Sequence, residues 1–424
     1  MSAAPARGRR LVVALLMAVM VISVLDKSIF AFAGPQIIDE LGLTPQQFGF
    51  VGSAFFFLYS LAGLIVGFAA NRWASRWILS IMSLVWMLAQ LLTSFSQSFT
   101  ALVASRMLLG AGCGPGTAVT QHACFKWFAP RERVLPSALI QVGLMLGAIS
   151  GALLLPLLIQ RLGWRAAYLL LAGVGLLWLL LWLWQGREGG HDDAAGSSQA
   201  PALYRHLLRD RSFVFITLAG FCTYLPNALI YSWVPVYLQR GLGMTPMQSG
   251  YLVMAATLGV IVMNLVVSSL SQRALQRGAR VRRAMVWPPM LACIAAGLAL
   301  SAIGFLSLER LPLLLLFALG SVLVNLTPAF SNTIVAFFAP PRQRGSLLAI
   351  HIGLMTSAGM LAPHLVGQAV AWQGGHIAAG FELALGGIGL ALIAGGLLGL
   401  ALIDPERSRL RHVPEAAEAT ERAR

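Results

Sequence analysis

The stretch Leu41-Gly42-Leu43-Thr44-Pro45-Gln46-Gln47-Phe48-Gly49-Phe50 reappears as Leu242-Gly243-Met244-Thr245-Pro246-Met247-Gln248-Ser249-Gly250-Tyr251, 201 residues further on. Two more matches run in the same direction at an offset of 210: Phe128-Ala129-Pro130 with Phe338-Ala339-Pro340, and Gly143-Leu144-Met145 with Gly353-Leu354-Met355. The chain therefore reads as two parallel copies of one unit. The second copy gains about nine residues between the matched points, around Arg273 to Arg283.

Outward from these matches lie twelve apolar stretches, at 11–33, 47–70, 77–96, 99–125, 136–159, 166–184, 212–237, 248–271, 285–306, 311–338, 346–371 and 380–403. A helix that crosses a bilayer needs about 20 mostly apolar residues, and each stretch is of that order. Of the 424 residues 58% are apolar and 11% charged, with a mean hydropathy of +0.78, whereas about a quarter of an ordinary soluble protein is charged. A soluble globular enzyme is excluded. The expected fold is an all-α membrane protein with twelve transmembrane helices arranged as two parallel six-helix repeats. Such repeats place a shared binding site near the midplane between them, because rocking one bundle against the other opens each side in turn. At the N-terminus Arg7, Arg9, Arg10, the apolar run Leu11 to Leu25 and Ala31-Phe32-Ala33 imitate a signal peptide. Asp26 and Lys27 interrupt that pattern, and residues 11–33 are read as a retained first helix.

A formal net charge of +15 on a soluble chain would point to nucleic acid. Here it reports topology, and no nucleic-acid partner is expected. With a cytoplasmic N-terminus, 24 of the 30 Lys+Arg fall on the tails and the even-to-odd loops, against Arg161, Arg165, Arg240 and Arg310 on the other side and Lys27 and Arg106 within the membrane. The positive-inside rule then puts both termini in the cytoplasm. The expected organisation is a tail at 1–10, a first bundle at 11–184, a cytoplasmic linker at 185–211, a second bundle at 212–403 and a solvated tail at 404–424, in a bacterial inner membrane. Cys113, Cys124, Cys222 and Cys293 lie in apolar stretches without metal-ligand or disulfide spacing and are read as buried thiols.

The loop Gly67-Phe68-Ala69-Ala70-Asn71-Arg72-Trp73-Ala74-Ser75-Arg76 resembles the major facilitator superfamily signature between helices two and three, with Asn71 where Asp is usual and Ala74 where Gly is usual. Arg106-Met107-Leu108-Leu109-Gly110-Ala111-Gly112-Cys113-Gly114-Pro115 is similar to the superfamily's helix-four motif. The first half most resembles the anion:cation symporter branch, which holds bacterial sugar-acid and aromatic-acid permeases and the vesicular glutamate transporters. That likeness rests on Val24-Leu25-Asp26-Lys27-Ser28, Glu40-Leu41-Gly42-Leu43-Thr44, Ser53-Ala54-Phe55-Phe56 leading to Tyr59, and Lys126-Trp127-Phe128-Ala129-Pro130-Arg131-Glu132-Arg133.

An ionised residue at the bilayer centre costs about 2.5–3.5 kcal/mol on insertion scales and usually faces an aqueous cavity. The resemblance implies that Lys27 binds the carboxylate of a solute and that Asp26 takes part in proton coupling; the alternative is a structural ion pair that sets helix packing. Arg106 is the second buried cation, with a purely structural link between helices as its alternative. Cys113, seven residues on and on the same helical face, lies where the branch often has a protonatable Glu, and a buried thiol keeps its proton near neutrality. Tyr59 matches a solute-contacting tyrosine of the branch, or is core. His122 lines the cytoplasmic half of the cavity, or only packs.

The second half supplies neutral candidates. Tyr224, Asn227 and Tyr231 recur at three- and four-residue spacing and would share one helical face, as a binding wall or as core. Asn325 and His351 add hydrogen-bonding groups. Gly143, Gly147 and Gly151 form the small-xxx-small spacing of close helix contact. No Walker loop, nucleophile with its base or His/Cys metal spacing is present, so neither an enzyme nor a metal or other cofactor is expected. These residues point to a monomeric secondary transporter of a small organic anion, a carboxylate, working by alternating access in the lipid bilayer with proton symport. Its alternatives are an anion exchanger or uniporter, an exporter of amphiphilic compounds, and a non-transporting sensor.

Overall fold

The computed structural model describes residues 6–69, 73–128, 132–186, 189, 204–340 and 343–412. Among the described residues the chain is helical, with no strand. The elements are α1 (Ala6–Leu41), α2 (Pro45–Ala69), α3 (Ser75–Ser94), α4 (Phe99–Cys113), α5 (Gly116–Phe125), α6 (Val134–Gln185), α7 (Tyr204–Leu208), α8 (Arg211–Leu229), α9 (Trp233–Val236), α10 (Pro246–Gln276), α11 (Trp287–Phe305), α12 (Arg310–Val324), α13 (Leu326–Phe338), α14 (Arg344–Thr356), α15 (Ala362–Trp372), α16 (Ile377–Leu402) and α17 (Pro405–His412).

The repeated motif is a helix stop followed by a helix start. Gly42 takes φ +59° and Gly243 φ +66°, a left-handed turn that a side chain would strain. Beyond it the threonine and glutamine cap each other. The Gln47 N–H donates to Thr44 Oγ1 (3.2 Å) while the Thr44 N–H donates to Gln47 Oε1 (2.9 Å). Thr245 and Gln248 repeat the pair at the same two distances. Proline opens the next helix, where its missing N–H costs nothing. Each residue kept between the copies thus has a separate local task.

Ten helical segments among the described residues are long and apolar enough to cross a membrane. One of them, Leu135–Gln185, is interrupted at Gly163 (φ 78°, ψ 162°), a conformation open only to glycine, and so supplies two spans. Residues 99–125 form another, cut into α4 and α5 at Gly114-Pro115. This accounting is consistent with twelve crossings. The expected helix over 212–237 is likewise broken after Leu229, with α9 starting at Trp233. Pro235 explains the break, since its ring clashes with the carbonyl four residues back, at Tyr231.

The chain divides into two compact units. The first holds Met1–Gly196, Ile230–Met254 and Val366–Ala378; the second holds Ser197–Leu229, Ala255–Leu365 and Ala379–Arg424. In the first unit, backbones meet where side chains are missing: a Cβ on Gly110 or Gly114 would run into the carbonyl oxygens of Phe55 and Tyr59 on α2, and one on Gly143 or Gly147 into those of Met17 and Val21 on α1. Contacts of this kind let dispersion and backbone proximity hold helices together where lipid gives no hydrophobic drive. They also set Arg106, one turn before Gly110, against α2.

Glu40 ties one end of this unit together. Its carboxylate accepts from Trp164 Nε1 and from Arg165 Nε (2.8 Å). The same guanidinium donates to the carbonyls of Ser94 (2.6 Å) and Ser96 (2.8 Å), joining α1, α3 and the break at Gly163.

The second unit has an apolar core of Phe213, Met285, Met290, Phe330 and Phe338. Asp210 stands just before α8 and takes the N–H groups of Ser212 (2.9 Å) and Phe213 (3.3 Å), Ser408 Oγ (2.7 Å) and His412 Nε2 (3.2 Å). Burial opposes its charge, but the His412 and Ser408 hydrogen bonds hold the carboxyl below its ordinary 3.8. The anchorage is therefore complete above that value and is lost only as pH falls through the lower folded one. The tail after Asp404 is accordingly not solvated throughout. Its 405–412 portion is a helix docked through Ser408 and through Glu406 Oε1, which accepts from the Val281 N–H (2.9 Å).

Candidate functional site

Arg106 is 1% exposed. Its guanidinium carbon lies 4.5 Å from the centre of the Phe30 ring and 4.7 Å from that of Phe55. Aromatic rings are attractive neighbours for a cation but satisfy none of its N–H donors. Nε and both terminal nitrogens lack a hydrogen-bond partner among the described residues. Tyr168 Oη is buried within electrostatic reach of Arg106 and is also unpartnered among the described residues. A buried polar group without a partner costs free energy. An array of such donors around a cation is suited to accept an oxyanion.

Asp26 is 1% exposed and accepts a 2.6 Å hydrogen bond from Gln90 Nε2. Its neighbour Lys27 is half-buried and stands 6.0 Å from the centre of the Tyr59 ring. Tyr231 and Cys113 come within electrostatic reach of the same ammonium. Cys113, 2% exposed and hydrogen-bonded with Ser23, interacts with Lys27, Asp26 and Arg106. Among the described residues neither cation stands in an ion pair. A structural ion pair of Asp26 or Lys27 is therefore not formed among the described residues.

The structure brings Asp26, Lys27, Tyr59, Arg106, Cys113 and Tyr231 together within the first unit. His122 is in the same unit, half-buried on α5. Tyr224, Asn227, Asn325 and His351 belong to the second unit. The interruption after Leu229 takes Tyr231 off the helical face that spacing assigned to it with Tyr224 and Asn227. Asn227 and Asn325 each donate to a carbonyl one turn back, of Thr223 (3.0 Å) and Ser321 (2.7 Å). His351 is fully buried, with Nδ1 on Thr217 Oγ1 (2.9 Å) and Nε2 on Ser331 Oγ (3.0 Å), so both ring nitrogens are committed inside that unit.

Sequence reasoning missed Phe30, Phe55, Gln90 and Tyr168. Gln90 carried a signal, as the one amide in the apolar run Val85 to Leu92. The aromatic residues carried none that separates them from core. Asn71, the departure in the signature loop, and Arg131 fall outside the described residues; Arg76 at the end of that loop donates to the Leu183 carbonyl (2.7 Å).

Helical spans with charges buried among them define a multi-pass integral membrane protein. Residues 16–363 match the family described as the Major Facilitator Superfamily, and the chain belongs to that superfamily; it is a transporter and not an enzyme. It is 24% identical to a "probable sulfoacetate transporter" of Cupriavidus necator, over 96% of this chain and 98% of that protein. It is 25% identical to a hexuronate transporter of Bacillus subtilis, over 86% and 89%. Among solved structures, a bacterial homolog of the human lysosomal transporter Spinster, inward-facing and unoccupied, shares the fold with a TM-score of 0.79 at 16% identity, covering 96% of this chain and 99% of that one. A D-xylose-proton symporter does so at 0.74 and 14%, covering 93% and 98%.

Proposed function

We propose that this transporter moves a small organic anion, a carboxylate, which binds against Arg106 and Lys27. The observation that carries the reading is Arg106, a buried guanidinium beside two phenyl rings with every nitrogen unpartnered among the described residues. The two phenyl rings beside it satisfy none of its N–H donors, and its planar fork is suited to bind a carboxylate in bidentate fashion. The relatives named for sulfoacetate and hexuronate support the same solute class. Alternating access of the two repeats moves the solute, and Asp26 carries a co-transported proton. Cys113 favours a second reading, anion exchange or uniport, because a thiol stands amid the three charges where a second carboxylate would serve as a proton site.

A thermal-shift screen of the purified protein tests the solute class. The panel holds mono- and dicarboxylates, sugar acids, aromatic acids, sulfonates and cationic drugs. A bound solute at a hundredfold excess over its Kd stabilises by about 2.7 kcal/mol. Organic acids are expected to raise the unfolding midpoint and cations not to; the reverse result would sink the anion site and favour an exporter of amphiphiles.

The Lys+Arg asymmetry supports a bacterial inner-membrane protein with both termini and the 185–211 linker in the cytoplasm. A cysteine placed at Ser197 on a cysteine-free background should resist an impermeant reagent added outside intact cells. Labelling from outside would overturn that orientation.

A further inference from the structure

We infer that the solute is a dianion, its two anionic ends divided between Lys27 and Arg106; this rests on the anion site and the Asp26 proton of the proposed function. The argument is a count of charge. Lys27 and Arg106 carry two positive charges into the first unit, and neither is neutralised by an ion pair there. Asp26 is directed to Gln90 instead. The other groups that reach Asp26 are Lys27 on α1, Cys113 on α4 and Tyr168 on α6, and thiol and phenol are neutral near pH 7. When Asp26 holds its proton the site therefore presents two uncompensated cations.

A monoanion leaves one of those cations buried and unpaired, which is costly in a medium of low dielectric constant. A dianion brings the loaded, protonated site to neutrality. The unpartnered donors are arranged for two ends as well. Arg106 and Tyr168 offer N–H and O–H groups at one end, while the Lys27 ammonium beside Tyr59 and Tyr231 forms the other. Cys113, in reach of all three charges, is the position at which the count can be altered.

The test compares each dianion with the half-amide of the same skeleton, which keeps size and loses one charge: sulfoacetate against its carboxamide, malonate against malonamate, and succinate against succinamate. Binding is measured by calorimetry at pH 7. At least one dianion is expected to bind tenfold or more tightly than its half-amide. Cys113→Glu, which adds a negative charge among the three groups, should narrow that ratio to within about threefold. If Cys113→Glu does not fold, Lys27→Gln removes one cation and should narrow the ratio likewise. Equal binding of dianion and half-amide, both lost in Arg106→Gln, would overturn the dianion and leave the anion site standing. Binding of none of these acids, or binding indifferent to Arg106→Gln, would overturn the proposed function itself.

Discussion

Arg106→Gln is expected to abolish solute binding while leaving the solute-free protein at least as stable as its parent. Removing one partner of a buried charge pair costs about 2–5 kcal/mol, which is from about thirtyfold to several thousandfold in affinity. The stability arm has the opposite sign. Among the described residues no group depends on Arg106 for a hydrogen bond, so glutamine orphans none of them, and it relieves the burial of an unpaired cation. The loss is confined to the ring contacts with Phe30 and Phe55, each about 0.5–2 kcal/mol. Arg106→Lys separates recognition from charge: a lysine restores the positive charge as a point without the planar fork, and binding should remain at least tenfold weakened. Calorimetry with the tightest acid and unfolding midpoints in detergent read both arms. Parent-like binding in Arg106→Gln would remove Arg106 from the site, and a large fall in its midpoint would assign the residue to structure.

Asp26→Asn is expected to abolish uptake driven by an imposed pH gradient and to preserve solute-for-solute exchange. Exchange passes only through loaded forms, whereas net uptake must return the solute-free protein and so must discharge the proton. The substitution is conservative in its contacts, because the Asn carbonyl can still accept from Gln90 Nε2. Gln90 is also suited to the protonated state. Its Oε1 is buried without a partner, and turning the amide over offers that oxygen to a carboxylic acid O–H. Proteoliposomes with an inward or outward pH step, and counterflow in the absence of one, distinguish the two modes. Gradient-driven uptake at the parent's rate in Asp26→Asn would exclude it as the proton carrier. An absence of any gradient effect in the parent would favour exchange or uniport.

The parts of this molecule legible in its sequence are those where a residue contradicts its surroundings. Lys27, Asp26 and Arg106 stand out because a charge inside an apolar stretch needs a reason. Gly42 and Thr44 stand out because the same pattern returns at Gly243 and Thr245. Phe30 and Phe55 give no such sign, since a ring that lies against a guanidinium and a ring that fills core are the same letter. Tyr224, Asn227 and Tyr231 mislead through periodicity, which assumes an unbroken helix and is defeated by one proline at 235. His351 reads as a polar group available for binding until its two ring nitrogens are traced to Thr217 and Ser331. Partner choice in a buried network depends on three-dimensional neighbours, and spacing along one helix does not encode it.

Asp39 carries a consequence of its own. It forms an ion pair with Arg240, which also donates to the Pro35 carbonyl (2.8 Å), and the two residues are separated by the 201 positions that relate the copies of the repeated motif. Each is therefore the counterpart of the other in the repeated sequence. In an assembly of two identical chains those positions can hold only like against like, two carboxylates or two guanidinium groups, which repel. Fusion of the copies into one polypeptide lifts the restriction. The Asp39–Arg240 pair is a bond between equivalent positions that two identical copies could not make, and it can exist only after the copies have ceased to be the same sequence.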